Sequence, residues 1–473
     1  MLFNSFHFLL FFVIVILLFY IIKPAYRWTL LLAASIYFYV SFIPVYILIL
    51  FAIILIDYYA AILIERSTGP RQRRFYLVAS LVANLAVLVI FKYWNFLGEN
   101  INLLAQSFGS SAIIPYLSII LPIGLSFHTF QSMAYTIEVA RGNYKAENHL
   151  GIYATYVLFF PQLVAGPIER PQGLLFQLRN RFEPFKYSNF FIGLSQMIYG
   201  FFAKVVVADL LAVYVDNVYK GYQSNHGLPV LLAVWFFLVQ LYCDFSGYSN
   251  IAIGAARMMG YNLMNNFSTP LFSKTIAELW RRWHISLSSW FRDYVFQPMA
   301  INMRQWAKWG VIAATIITFT LSGFWHGASW NFVIFGLLSG LAITFEILFK
   351  INSKNLNKSW IKKVTGVLYA FNFFAFSAVF FRSATFEQAS TIIKSVFEGP
   401  FFNFALYNKN IFVSIVFSLF CFLITEFFIF RNTGFDKMYE KKYPLLFSFN
   451  ILLLLMIFLF GVENGNQFIY FQF

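Results

Sequence analysis

The chain has 473 residues, of which 60% are hydrophobic, 22% aromatic and only 11% charged. A soluble globule must cover its surface with groups that water tolerates and carries about 25% charged residues, so a soluble fold is excluded. The net charge of +15, from 34 basic and 19 acidic residues, invites a nucleic-acid reading. Its distribution argues against one: the basic residues cluster in short loops between apolar runs, the positive-inside pattern of a chain that meets anionic membrane lipid.

The first apolar run, "FHFLLFFVIVILLFYII" (6–22), precedes the first cation, Lys23, and therefore lacks the basic start of a cleaved signal. It reads as a retained first helix. With the N-terminus outside, a short span near 28–41 goes out and 43–63 returns. The loop with Arg66, Arg71, Arg73 and Arg74 is then cytoplasmic, and 77–98 goes out again. The region 112–165 is interrupted by "IIPYLSIILPIGLSFHTF" (113–130) and "FFPQLVAGPIERP" (159–171), rich in Pro and Gly. Broken backbone at membrane depth is tolerated only where protein or a watery cavity satisfies it, so these segments should border a cavity or re-enter.

After an internal stretch at 167–186, runs 190–215 and 230–255 form a pair, 257–309 falls inside, and an apolar hairpin spans 310–349. The loop carrying Lys350, Lys354, Lys358, Lys362 and Lys363 is again internal. Spans at 364–381, 411–430 and 445–461, with Arg431, Lys437, Lys441 and Lys442 between the last two, leave the terminal "FIYFQF" outside. The pattern predicts an all-α polytopic membrane protein of roughly eleven or twelve spans, with re-entrant and interfacial helices. Without a linker or repeat, 1–473 reads as one membrane domain: N-terminal helices to 110, a core over 111–349 and C-terminal helices over 350–473.

Two phrases stand out chemically. Placed on one helix at 100° per residue, "WRRWHISLSSWFRDY" (280–294) aligns Arg281, His284, Ser288 and Arg292 on one stripe, and Trp280, Trp283, Leu287, Trp290 and Tyr294 on another. That predicts an amphipathic interfacial helix, either a membrane anchor or a basic wall for a phosphate-bearing ligand, with Asp293 pairing a neighbouring Arg. "SGFWHGASWN" (322–331) puts His326 near the midpoint of the apolar hairpin, with no Asp, Glu, Lys or Arg from Trp309 to Phe345. An ionisable group at such depth is a functional candidate, unless it is simply a buried His bonded to a carbonyl. Gly323, Gly327, Ala328 and Ser329 allow close backbone approach.

Other intramembrane polar residues compete: Asp57, Lys92, Gln240, Asp244 and the Lys204/Asp209 set, the last read as a helix-end ion pair. His128, in a broken segment, could line the cavity. Cys243 and Cys421 lack metal-ligand spacing, so no metal or disulfide is expected. No HExxH, P-loop or GxSxG phrase is present.

The chain resembles the membrane-bound O-acyltransferase family, in its bacterial alginate O-acetyltransferase branch. The resemblance is carried by "FKYWNF" (91–96), "FFPQLVAGPIERP" (159–171), "FFAKVVVADLL" (201–211), "LYCDFSGYSNIAIGAARMMGYNLMNNF" (241–267), "LWRRWHISLSSWFRDY" (279–294), "SGFWHGASWNFVIFG" (322–336) and "FIYFQF" (468–473). It implies a funnel-like core reached from both faces, with His326 as catalytic base and His284 as the second important histidine. It also implies acetyl-CoA as donor, no resident cofactor, an inner-membrane location and a periplasmic acetyltransferase partner that modifies exported polysaccharide. Arg281, Arg282 and Arg292 would meet the donor's phosphates, with Trp283, Trp325, Asp244 and Gln240 lining the path. Asn250 replaces the branch's usual Asp, and "VFQPMAINMRQW" (295–306) replaces its "PLGGNR"-like turn. D-alanyl transfer to a teichoic-acid-type acceptor from a carrier-protein thioester, and a transporter or flippase, are the alternatives.

Overall fold

The computed structural model describes residues 1–42, 44–110, 114–180, 184–402, 409–432, 434–462 and 467–469. Most of the "FIYFQF" phrase (470–473) and the side chains of Arg431 and Lys441 lie outside the described residues. Most of the described residues are helical, with no strand among them. Among the described residues, nine continuous helical segments are long and apolar enough to cross a membrane. The other expected spans fall on the shorter helices α1 (Phe6–Ile21), α2 (Arg27–Val40) and, in the interrupted region, α6 below. The described residues thus form an all-α array with several helices fit to cross a membrane.

The chain forms two compact units, Met1–Gly193 with Ala255–Met264, and Leu194–Gly254 with Asn265–Phe473.

In the first unit, α3 (Ile47–Arg66) and α4 (Pro70–Leu88) are joined by a very short link, so Arg71, Arg73 and Arg74 begin a helix rather than fill a loop. Asp57 of α3 is buried, and accepts hydrogen bonds from Ser80 Oγ at 2.6 Å and Asn84 Nδ2 at 2.9 Å, both on α4. After α5 (Trp94–Ser107), the chain from 114 to 124 is not helical. Its missing backbone partners come from asparagines: Asn95 bonds both N–H and C=O of Leu117, and Asn102 does the same for Ile114. Gly124, at φ +76°, turns the chain into α6 (Leu125–Arg141), and a Cβ there would sit 2.8 Å from the Leu163 carbonyl. Past α7 (Leu150–Leu158), the second interruption is held by protein too: Ser35 Oγ accepts from Phe160 N, and Tyr156 Oη donates to the Glu169 carbonyl. His128 is packed here, with Nδ1 3.2 Å from the Val157 carbonyl. The short α8 (Phe176–Asn180) closes this part.

The helix α9 (Tyr187–Phe201) leads through a π-helical turn into α10 (Asp209–Lys220), followed by the 31-residue α11 (Leu228–Met258). Gly200 and Gly247 let these backbones touch, since a Cβ on either would lie 2.7–2.8 Å from the other's carbonyl. Short helices α12 (Ile276–Arg282), α13 (Ile285–Phe291) and α14 (Gln297–Asn302) precede a tight hairpin of α15 (Lys308–His326) and α16 (Trp330–Leu348). The hairpin turns because Gly327 is extended and Ser329 caps α16 by accepting from Asn331 N. The short α17 (Ser353–Leu356), then α18 (Trp360–Arg382), α19 (Phe386–Ser395), α20 (Lys409–Asn432) and α21 (Phe435–Phe460) complete the second unit.

Candidate active site

The expected continuous helix over 280–294 is broken in two. Helix α12 stops at Arg282, Trp283 is extended, and His284 adopts φ +42°, ψ +54°, a left-handed conformation that a residue with a Cβ adopts at a cost of about 1–2 kcal/mol. The corner is fixed from outside. Ile285 N donates to the Asn266 carbonyl at 2.8 Å, Ser286 Oγ donates to Asn266 Oδ1 at 2.6 Å, and Ser268 N donates to the Arg282 carbonyl at 3.0 Å. Asn266 Nδ2 in turn donates to Ser249 Oγ on α11. The start of α12 is set by Glu346 of α16, whose carboxylate accepts from Ile276 N and Ala277 N, a helix N-terminus satisfied by a negative charge.

The break dissolves the two predicted stripes. His284 does not share a surface with the arginines but is fully buried, 4.7 Å from the Phe245 ring and edge-on to it. His326, 4% exposed, is the last residue of α15, so the midpoint of the hairpin in sequence is its tip in space. It lies about 27 Å along the helix from Lys308, close to the ~30 Å of a bilayer's hydrocarbon layer. Its ring packs against Trp325 (5.1 Å), Phe381 of α18 (5.3 Å) and Phe335 of α16 (6.3 Å). The two imidazoles are 6.4 Å apart between centroids, with Trp325 6.1 Å from His284. Burial, and then the neighbouring His326, hold the His284 imidazole well below its ordinary value of 6.5, so it is neutral at physiological pH.

Beside this pair lies a cavity of about 510 Å³. Neither histidine lines it, but Ser322, one helical turn before His326, and Ile285, next to His284, both do. Of the three expected phosphate-binding arginines, exposed Arg281 and Arg292 line the cavity and Arg282 does not. Arg282 Nη2 is paired with Glu278 Oε1 at 2.8 Å. Burial raises the Glu278 carboxyl, but the Ser353 hydroxyl, the Lys274 N–H and the Arg282 and Lys274 charges outweigh that and hold it below its usual value. Arg292 Nε is 2.7 Å from Asp293 Oδ1, the expected pairing.

Trp283 is buried against Phe374 (5.1 Å), Phe267 (5.3 Å) and Tyr242 (5.8 Å) rather than facing the cavity, and Trp325 forms the shared wall of the two histidines. Asp244 is buried and held by partners of its own. Its Oδ1 is 2.8 Å from Lys204 Nζ, its Oδ2 accepts from Ile469 N at 2.8 Å, and Lys204 also reaches Asp209 at 2.8 Å. The expected Lys204–Asp209 pair is thus a buried triad. Gln240 is buried one turn before Asp244. Glu426 of α20 was not anticipated: it is buried and accepts from the hydroxyls of Tyr199 and Tyr242. Glu346 lies one residue beyond the charge-free stretch ending at Phe345, and a scan for carboxylates inside apolar runs finds both. Among the described residues no group of three or more His, Cys, Asp or Glu side chains is placed to hold a metal ion.

Residues 147–386 match the profile of "MBOAT, membrane-bound O-acyltransferase family", a segment that contains both histidines, the corner and the cavity. The chain is 36% identical over 351 residues to the "probable alginate O-acetylase" of Pseudomonas putida, covering 73% of this chain and 70% of that one. It is 31% identical over 391 residues to the peptidoglycan O-acetyltransferase of Helicobacter pylori, covering 77% and 73%. To the teichoic acid D-alanyltransferase of Bacillus subtilis it is 26% identical over 351 residues, covering 71% and 86%. The chain belongs to the membrane-bound O-acyltransferase family and is an O-acyltransferase.

Proposed function

We propose that this O-acyltransferase takes an acetyl group from a cytoplasmic thioester, acetyl-CoA, and passes it across the inner membrane for O-acetylation of an exported polysaccharide such as alginate. A periplasmic acetyltransferase partner would complete the transfer, and both termini would be extracytoplasmic. The observation that carries the reading is the buried His284–His326 pair beside a cavity whose lining includes two exposed arginines. The alginate O-acetylase names among the relatives support acetyl as the group and a polysaccharide as its destination.

In this reading Arg281 and Arg292 draw the donor's phosphates by charge-assisted hydrogen bonds. His326 takes the proton of the acceptor hydroxyl as its oxygen attacks the thioester carbonyl. The C–O bond forms, the C–S bond breaks, and the imidazolium returns its proton to the departing thiolate. General-base assistance of this kind is worth about 10²–10⁴-fold. His284, neutral and fixed by its corner, orients His326 or the carbonyl.

D-alanyl transfer from a carrier-protein thioester is the second reading, favoured by the likeness to the Bacillus subtilis protein. Family membership favours acyl transfer over a transporter. Mass spectrometry of exported glycan from wild-type and His326→Ala cells tests the proposal. Acetyl loss at equal protein level is expected, unchanged acetylation contradicts the catalytic role, and D-alanine in place of acetyl selects the second reading.

A further inference from the structure

The helix that starts at the His284 corner is capped from outside. The first N–H groups of a helix lack intrahelical partners, and the side chain of the N-cap residue is their usual acceptor. His284 is the N-cap of α13, yet its side chain makes no capping bond. The acceptor comes from another segment. Asn266 Oδ1 receives Ser286 N at 3.3 Å and Ser286 Oγ at 2.6 Å, and the Asn266 carbonyl receives Ile285 N at 2.8 Å. Asn266 thereby caps α13 in place of His284, whose imidazole packs instead beside Trp325 and His326.

The clamp is itself anchored. Asn266 is 1% exposed, and its Nδ2 donates to Ser249 Oγ of α11 at 3.1 Å. Ser249 lies one helical turn beyond Phe245, so a single face of α11 holds both the clamp and the His284 ring. Phe267, the next residue after Asn266, packs against both Phe245 (5.1 Å) and Trp283 (5.3 Å). The segment 280–294 does not favour the corner by itself. Its periodicity is helical, and His284 at φ +42° occupies a region that residues with a Cβ rarely adopt. As one straight helix it would carry His284 on the stripe of Arg281 and Arg292, both exposed.

We propose that Asn266 is a positioning residue for the acyl transfer: by capping α13 it keeps the corner bent and sets the His284 imidazole against His326. Without that cap, 280–294 relaxes toward a continuous helix and the imidazole leaves its place. This rests on the reading that His284 takes part in the transfer, and deepens it by naming what sets its position.

Initial rates of acyl transfer from acetyl-CoA, in membranes holding matched amounts of the full chain, test it. Asn266→Ala should lower kcat about tenfold while the KM for the donor stays within about twofold, because misplacing a reacting group acts on the rate. Asn266→Asp, which keeps the Oδ1 acceptor, should recover most of the loss. In a His284→Ala background, Asn266→Ala should change the residual rate by less than about twofold, since nothing is left for it to position. An equal fractional loss in both backgrounds, or no loss in either, overturns the proposal.

Thiol labelling reads the position independently, and decides where His284→Ala leaves no measurable rate. In Cys243→Ser/Cys421→Ser chains, His284→Cys should react slowly with a maleimide, and about tenfold faster once Asn266→Ala opens the corner. Ser339→Cys, at a buried position on α16, should stay unreactive in both. Unchanged labelling at 284, or labelling that rises equally at 339, overturns the clamp. If labelling follows the prediction while His284→Ala keeps the wild-type rate, the role of His284 in transfer fails and the clamp stands.

Discussion

The His284 and His326 rings lie 6.4 Å apart, one on a left-handed corner and the other on the final residue of a 19-residue helix. They come from separate local structures, and Trp325 and the surrounding Phe rings fix their separation. Groups that act as one unit in a reaction lose activity non-additively when removed. We expect acyl transfer in His284→Ala/His326→Ala to equal that of His326→Ala alone, about 10²–10⁴-fold below wild type. Multiplying losses in initial-rate measurements would mean that the two histidines act independently.

Arg281 and Arg282 are neighbours with different duties. Arg282 is tied to Glu278, while Arg281 has no ion-pair partner among the described residues and lines the cavity. Arg281→Ala should therefore raise the KM for the donor about tenfold with little change in melting temperature, since one lost phosphate contact is worth about 1.5–3 kcal/mol at most. Arg282→Ala should leave KM nearly unchanged and lower stability by up to about 1 kcal/mol, the range of a partly exposed pair. A larger KM effect from Arg282 would reverse the assignment.

Neutral burial of His284 sets a pH window for stability. Its folded-state pKa lies well below the 6.5 of the free side chain, so below pH 6.5 the unfolded chain binds a proton that the folded chain refuses. Stability conferred by this site is complete above pH 6.5 and falls by about 1.4 kcal/mol per pH unit as the pH drops beneath it. Glu278, with its carboxyl held below 4.5, adds an acid loss only at lower pH. In thermal unfolding between pH 5 and 7.5, His284→Asn should flatten the slope relative to wild type. Parallel curves would place the proton uptake elsewhere.

What the sequence displayed and what it hid follow from range. Charge scarcity and apolar run length report the local environment of each segment, so the polytopic helical class and the lone His326 within a charge-free hairpin are readable from short windows, whereas its place at the hairpin's tip is not. Nor are non-local partners. The 280–294 phrase has helical periodicity, and nothing within it signals that Asn266 and Ser268 take the backbone groups at 282–286 and impose a corner at His284. Asp244 looked isolated because Lys204 lies forty residues earlier and Ile469 far later in the chain. Interruptions at Pro115, Pro122 and Pro161 were visible, but not the asparagine, serine and tyrosine side chains that satisfy them.

Close packing of the α15–α16 hairpin is what holds His326 against Phe335. A Cβ on Gly336 would stand 2.3 Å from the Phe319 carbonyl and 2.9 Å from Gly323 Cα, and one on Gly323 would stand 2.3 Å from the Phe332 carbonyl. These are backbone atoms, so a methyl group fits only if the arms separate, at a cost of about 1–3 kcal/mol. Phe335 adjoins Gly336 and touches the His326 ring, so separation shifts the imidazole directly. At Gly340 the nearest atom is Ile316 Cα at 3.0 Å, and a small adjustment suffices. Gly336→Ala should cut kcat by tenfold or more while the protein still inserts and accumulates, because each helix keeps its apolar length. Gly340→Ala should stay within about threefold of wild type, the smaller strain giving a smaller displacement. Equal kcat values for the two variants, at matched protein levels, would show that hairpin spacing does not position His326.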